Sequence, residues 1–537
     1  MDGGFPVLTA IIVVPLAGAV AVMCTPVQRP EIARAIGYAT TAAVAGLAGG
    51  LLWSFDSANG GFQFVDHARW FTGFGTQYIV GVDGSSLWMV VVTAWLFPIG
   101  LLASAPLTHR VRAYTAWFLL LEAAIMGIFL SIDLILFFVF WELLLVPMYF
   151  LILGWGHDRN RYAATKFFLY TMAGSAFLLV ALLALGFLHQ ADTGVLTWDF
   201  RVLAEWNGLA TTTERWLFAG FMISFAVKAP LVPFHTWLPD VHTNAPTFGS
   251  VILAGVLLKM GAYGFLRFSF PLFPEASVWF APLLLTLSVI GIVYGAVVAT
   301  MQTDLKRLIA YSSVSHMGFV ILGIFSLTTI GLDGALFIMV SHPLTTGALF
   351  LLVGMIDERR HTRELDELGG LWRSVPVLSS LFLVAVFASI GVPGLSGFVG
   401  EFLALLGAFL HDRPYAVVAT VGVILSAVYL LWAYKRAFTG KPEGENASLR
   451  DVSIRELATV VPLLAFSLFL GLYPQPVLER VEPTMRRYVE NFERKTDYRE
   501  PEFSRRGGSV ADPVTDAEEP PTPEGGSEES DDQGTVE

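Results

Sequence analysis

A single cysteine, Cys24, stands in the whole sequence. One thiol excludes an internal disulfide, a cysteine zinc site and an iron–sulfur cluster, each of which needs several ligands. Charge is scarce as well: 15% of the 537 residues are Asp, Glu, Lys or Arg, and 55% are hydrophobic. A soluble protein needs about a quarter of its residues charged to cover its surface, so water is not the solvent for most of this chain. No glycine-rich phosphate loop and no dinucleotide fingerprint occurs, and no nucleic-acid partner is expected; the net charge of −12 misleads about the membrane part, because the C-terminal tail supplies much of the acid. Basic residues are missing from Asp512 to Glu537, where Pro, Gly, Ser and Glu dominate, a composition expected to be disordered. The N-terminus lacks the basic start of a signal peptide, carrying Asp2 instead, and Met1 to about Cys24 reads as a first helix.

What is present is apolar. A membrane-spanning helix needs about 20 apolar residues, and about 14 such runs follow one another from residues 5–25 to 456–474. Abundant aromatics, 42 of them Phe, suit lipid-facing surfaces and interfacial belts. The run at 375–410 is too long for one simple span and contains Gly391-Val392-Pro393-Gly394, so it reads as one broken helix. Basic residues collect in the loops after odd-numbered runs: Arg29, Arg110, Arg159, Lys306, Arg359 and Lys435 with their neighbours. The opposite loops hold only Arg69, Arg201, Arg215, Arg267 and Arg413. The asymmetry predicts both termini outside.

Against this background, charges inside the runs are conspicuous, because each costs several kcal/mol to insert. Glu142, Lys259, His316 and His342 fall near the middles of the fifth, eighth, tenth and eleventh helices. Two more groups sit beside helix interruptions. Lys228 precedes Ala229-Pro230-Leu231-Val232-Pro233, and Glu401 follows Gly391-Val392-Pro393-Gly394. A broken helix is tolerated in a bilayer where it is buried in protein or lines a wet cavity, and charge beside such breaks marks ion pathways. Low-dielectric surroundings bring lysine and carboxylate proton affinities towards neutrality, and imidazole already titrates there. A line of Glu, Lys and His at one depth therefore suits proton hopping better than carriage of an organic substrate.

Each group also has a bland reading. Glu142, Lys228 and Lys259 can be structural, and His316 and His342 can be satisfied packing residues. Asp133 is equally a helix cap and a relay member. Lys166 near a helix start can simply snorkel. His235 and His242 flank Trp237-Leu238-Pro239-Asp240, read as a loop or re-entrant turn, where an entrance role competes with turn stabilisation. Asp304, Lys306 and Arg307 read as an ordinary basic helix start. No histidine pairing supports a haem or metal site.

Phe137-Phe138-Val139-Phe140-Trp141-Glu142-Leu143, the stretch from Lys228 to Pro246, Asp304 to Gly318, Ser341-His342 and Gly397 to Phe402 resemble the antiporter-like membrane subunits of complex I. The likeness covers roughly residues 80–440. It implies an all-α polytopic fold of about 14 transmembrane helices with two inverted five-helix repeats, helices 4–8 and 9–13, whose helices 7 and 12 are broken. The implied divisions are 1–110 for helices 1–3, 111–270 and 271–440 for the repeats, 441–480 for the last span and 481–537 for an acidic, disordered tail. The family's proton-transfer residues fall on Glu142, Lys228, Lys259, His316, His342 and Glu401. Its L and N paralogues carry lysine at the twelfth-helix position and a third carries glutamate, as here. Pro343, directly after His342, departs from the usual pattern and is expected to kink its helix. The resemblance implies a proton-translocating subunit in a bacterial inner membrane, beside L-like and N-like subunits. It implies no cofactor in this chain, with NADH, FMN, iron–sulfur clusters and quinone in partner subunits. A subunit of a multi-subunit Na⁺/H⁺ antiporter, or of a hydrogenase-type complex, would use the same charged line.

Overall fold

A computed structural model of the chain describes residues 5–505. Nearly everything in it is helix. In chain order come α1 (Val7–Met23), α2 (Pro30–Ser54), α3 (Gly84–Ala103), α4 (Val111–Leu130), α5 (Leu134–Leu143), α6 (Leu145–Trp155), α7 (Asn160–Thr193), α8 (Phe200–Glu205), α9 (Thr211–Lys228) and α10 (Trp237–Asn244). The chain continues with α11 (Thr247–Ile252), α12 (Leu258–Gly264), α13 (Phe270–Leu272), α14 (Pro274–Thr300), α15 (Leu305–Phe325) and α16 (Thr329–Arg360). It ends with α17 (Leu371–Ser374), α18 (Pro376–Ser389), α19 (Ser396–His411), α20 (Arg413–Phe438), α21 (Ile454–Leu472), α22 (Gln475–Lys495) and α23 (Glu502–Arg505). Among the described residues, 11 helical segments are long and apolar enough to cross a membrane, and Val7–Met23, Pro376–Ser389 and Ser396–His411 are shorter apolar helices.

The helices break where the sequence removes backbone donors or adds freedom. α9 stops at Lys228 because Pro230 and Pro233 carry no N–H. α18 and α19 are separated by a link in which Gly391 and Gly394 take φ of 76° and 94°, a region only glycine enters cheaply. α5 and α6 part at Leu144, next to Glu142, because Pro147 cannot bond the carbonyl of Leu143. The link from α11 to α12 is π-helical over Leu253–Leu257, and a second π-helical turn, Phe265–Ser269, follows α12. Lys259 lies between these two widened turns, a pattern frequent at functional sites.

Several expectations need correction. Trp237-Leu238-Pro239-Asp240 is not a turn but the first turn of α10, where proline is tolerated. Arg267 is not in a loop. It is 1% exposed, bidentate on Asp83, and its Nε donates to the Tyr263 hydroxyl at 2.8 Å. Residues 481–495, expected in a disordered tail, belong instead to α22, which buries Val477, Val481, Met485, Val489 and Phe492 on one face and packs on α3 and α16. Residues 506–537 lie outside the described residues. An antiparallel hairpin, β1 (Gln63–Arg69) and β2 (Gln77–Val82), precedes α3. α16 runs on helically through Pro343.

Candidate functional site

Glycine brings the central helices into backbone contact, and that contact sets which polar groups meet. A Cβ on Gly400 of α19 would stand 2.8 Å from the Ile338 nitrogen of α16, and one on Gly334 of α16 would stand 2.4 Å from the Ala404 nitrogen. A Cβ on Gly261 of α12 would stand 2.4 Å from the Phe225 carbonyl of α9. Side chains on these helices consequently reach across short gaps.

Four of the expected residues form one chain of contacts. Lys259, fully buried, places its Nζ 2.8 Å from His342 Nδ1 and donates as well to the Ala254 carbonyl, which lies in the π-helical turn. An ammonium has no acceptor, so with Lys259 charged the His342 Nδ1 accepts and its Nε2–H donates to Thr346 Oγ1 at 3.2 Å. The His342 and His316 rings meet edge to face, with centroids 5.5 Å apart. His316 Nδ1 lies 2.7 Å from Glu401 Oε1. His316, Ser341, His342, Thr345, Ser389 and Glu401 surround a cavity of about 10 Å³, close to the room one water needs.

Glu142 and Lys228 form a second cluster. The Lys228 ammonium is 2% exposed, has no hydrogen-bond partner and lies 4.4 Å from the Trp141 ring centroid. Glu142 acts on it electrostatically, and the two make no direct ion pair. One Glu142 oxygen is buried without a partner. No direct contact joins this pair to Lys259; the Gly261 contact between α9 and α12 is what brings the two clusters together.

The secondary candidates separate by role. Asp133 caps α5, accepting the backbone N–H groups of Gln77, Ile135 and Leu136 at 3.0 Å each. Burial pushes its carboxyl up to about 6 despite those donors. Lys166 is paired with Asp240 at 2.6 Å and so ties α7 to α10. His235 lies against Tyr294, with centroids 5.1 Å apart. His242 is fully buried, stacks on Phe350 and has neither ring nitrogen bonded.

Besides Arg267 and Asp83, further buried charges escaped the sequence reading. Lys306, taken for an ordinary helix start, is 2% exposed and donates to the Ala245 carbonyl at 2.6 Å. Glu122 in α4 and Asp333 in α16 are buried carboxyls. Their position inside apolar runs was the available signal. On the side of the basic loops, His157, Asp304, Asp357, Glu358 and Arg363 line a cavity of about 880 Å³. There burial, reinforced by the Lys306 charge, lowers the His157 imidazole below its ordinary range.

The link before α19 yields a prediction. Gly391 has a left-handed φ, and a Cβ there would stand 3.2 Å from Glu401 Oε2. Gly391→Ala is expected to cost about 1–2 kcal/mol of backbone strain and to displace the Glu401 carboxyl. The check is a lower melting temperature of the purified protein.

A bundle crossed by broken helices and a buried line of Glu, Lys and His defines an antiporter-type membrane subunit. Residues 131–426 match the family described as NADH:quinone oxidoreductase/Mrp antiporter, TM, and the chain belongs to that family. Within it, the chain is similar to NADH-quinone oxidoreductase subunit M. The Rhodobacter capsulatus protein is 45% identical over 82% of this chain and 87% of its own length, and that of Escherichia coli (strain K12) is 46% identical over 76% and 82%. A chain of respiratory complex I from Thermus thermophilus superposes with a TM-score of 0.82 at 31% identity, covering 90% of this chain and 99% of that one. A chain of the Mrp complex from Dietzia sp. DQ12-45-1b shares the fold, with a TM-score of 0.79 at 22% identity over 91% and 99%.

Proposed function

We propose that this chain is the proton-translocating subunit M of an NADH:quinone oxidoreductase, and that protons cross it by way of Glu142, Lys228, Lys259, His342, His316 and Glu401. The observation that carries the reading is the buried series Lys259–His342 at 2.8 Å and His316–Glu401 at 2.7 Å, joined by imidazoles in contact. Each link joins a group able to hold a proton to one able to accept it. The Lys259 Nζ gives a proton to His342 Nδ1, His342 releases its Nε2 proton towards His316, and Glu401 receives it from His316. Imidazole serves the middle of the route because one nitrogen accepts while the other releases. Glu142 and Lys228 are the switching pair, whose mutual attraction governs when a proton reaches Lys259.

This reading makes the chain part of a translocase whose redox chemistry, with NADH, FMN, iron–sulfur clusters and quinone, belongs to other subunits. L-like and N-like subunits are its neighbours in a bacterial inner membrane. The 14 crossings, the two inverted repeats over 111–270 and 271–440, and an outside position for both termini belong to the same proposal. The loop charge asymmetry supports the orientation.

Glu142→Gln in the assembled complex tests the switch. The expected result is at least a severalfold loss of protons moved per NADH oxidised, measured as acidification of sealed vesicles, with the complex still assembled. Normal transport per electron removes Glu142 from the mechanism. Isolation of the native complex without flavin and iron–sulfur subunits favours an antiporter instead.

A further inference from the structure

Glu122 sits near the middle of α4, fully inaccessible, with neither carboxyl oxygen hydrogen-bonded. The proton route above does not use it. Two contacts determine where α4 aims this side chain. Phe118 packs on Phe248 of α11, with centroids 4.7 Å apart. Phe129 meets Tyr263 of α12 at 5.1 Å, and the Phe129 carbonyl accepts the Tyr263 hydroxyl at 2.9 Å. Because each helical residue turns by about 100°, Glu122 lies within about 40° of the line through Phe118 and Phe129. This face of α4, on which Phe118 also meets Phe97 of α3 at 4.8 Å, therefore presents Glu122 to the space between α3 and the α11–α12 stretch.

The level matches too. Phe118 faces Phe248 and Phe129 faces Tyr263, so the two stretches run in the same direction. Glu122 precedes Phe129 by seven residues, about 10 Å of rise, and Ala254 precedes Tyr263 by nine, about 13 Å. Ala254 is where the Lys259 ammonium rests, since Nζ donates to its carbonyl. Lys259 itself is one turn before Tyr263 and shares its face. α4 meets this stretch through those aromatic side chains, and because neither Glu122 oxygen has a direct partner, the carboxylate acts on the Lys259 ammonium across the remaining gap or through one water.

Both groups also lack what the other offers. Among the described residues Lys259 has no carboxylate within ion-pair distance, and its titratable neighbours His342, His316 and His242, on α16, α15 and α10, are all bases. The next carboxylates are engaged elsewhere: Glu401 with His316 and Asp83 with Arg267. Glu142 faces Lys228.

We propose that Glu122 is the counter-charge of Lys259, a positioning residue on α4 that holds the proton on the Lys259 amine until His342 takes it. In the transfer the Lys259 N–H bond breaks and the His342 Nδ1–H bond forms; the Glu122 carboxylate keeps its charge throughout. The inference rests on the proton route proposed above, and Glu122 lies outside the 131–426 stretch that matches the family.

The test compares Glu122→Gln, Glu122→Asp and Lys259→Ala in the intact complex, with protons moved per NADH oxidised read in sealed vesicles. Gln keeps the shape and loses the charge, whereas Asp keeps the charge and loses a methylene. The expected result is a fall of about tenfold with Gln, as for loss of about 1.4 kcal/mol of stabilisation, and retention of most transport with Asp. Normal transport with Gln, or equal loss with both, overturns the inference and makes Glu122 a packing residue. Normal transport with Lys259→Ala overturns the route itself, a separate failure. Should Glu122→Gln fail to assemble, the double variant Glu122→Met with Lys259→Met decides: a true pair regains assembly when both charges leave together, and continued failure overturns the pairing.

Discussion

Lys259→Ala is expected to cut NADH-driven proton transport by the assembled complex by about a hundredfold. Lys259 touches both the π-helical Ala254 carbonyl and His342 Nδ1. On the proposed route, a proton arriving from Lys228 without it has no base to occupy before His342. An unaccommodated charge at the centre of a helix in the bilayer costs about 3 kcal/mol by insertion scales, and a barrier raised by that much slows transfer about a hundredfold. Lys259→Arg separates charge from proton exchange. Guanidinium keeps its proton at any accessible pH, so Arg is expected to preserve assembly and to block transport nearly as fully as Ala. Acidification of sealed vesicles, normalised to NADH oxidation, measures both. Undiminished transport in either variant would remove Lys259 from the route.

The largest effect on stability is expected from Arg267→Ala. Arg267 and Asp83 are both under 5% exposed, and their bidentate contact ties the π-helical turn after α12 to the first turn of α3. Asp83 also caps α3 through the N–H groups of Ser85 and Ser86, and Gly84 N–H bonds Thr484 of α22. Three elements thus depend on one buried pair. Removing one partner of such a pair strands the other charge and costs about 3–5 kcal/mol, whereas replacing both by apolar residues costs far less. Arg267→Ala is expected to lower the dissociation temperature of the complex sharply, and Arg267→Met with Asp83→Leu to recover most of it. Thermal melting of purified complexes distinguishes the two, and an unchanged melting point for Arg267→Ala contradicts the account.

Much of the fold was legible without coordinates, for local reasons. Apolar runs long enough to cross a bilayer announce themselves one by one, and prolines at 230 and 233 or glycines at 391 and 394 interrupt helices wherever the chain carries them. The break at Leu144 was equally available, since Pro147 follows Glu142 at helical spacing, but one proline in a strongly apolar run reads as an uninterrupted helix. α22 was harder. Its apolar face appears only at a helical period, within a segment whose composition is polar and acidic. Arg267 was misplaced because a lone arginine near the end of an apolar run looks like a loop residue until Asp83, 184 positions away, is seen to cancel it.

By itself the sequence determined that this protein lives in a bilayer, where two of its helices break, and that six costly side chains sit inside, because length, hydropathy and backbone chemistry are properties of short segments. Only the tertiary structure decided the pairings: Lys259 with His342, His316 with Glu401, Lys166 with Asp240, and Lys228 facing Glu142 across a gap. Pairing depends on which helix faces meet and at what level. Close glycine contacts such as Gly400 on Ile338 and Gly261 on Phe225 fix both, and they join residues far apart in the chain.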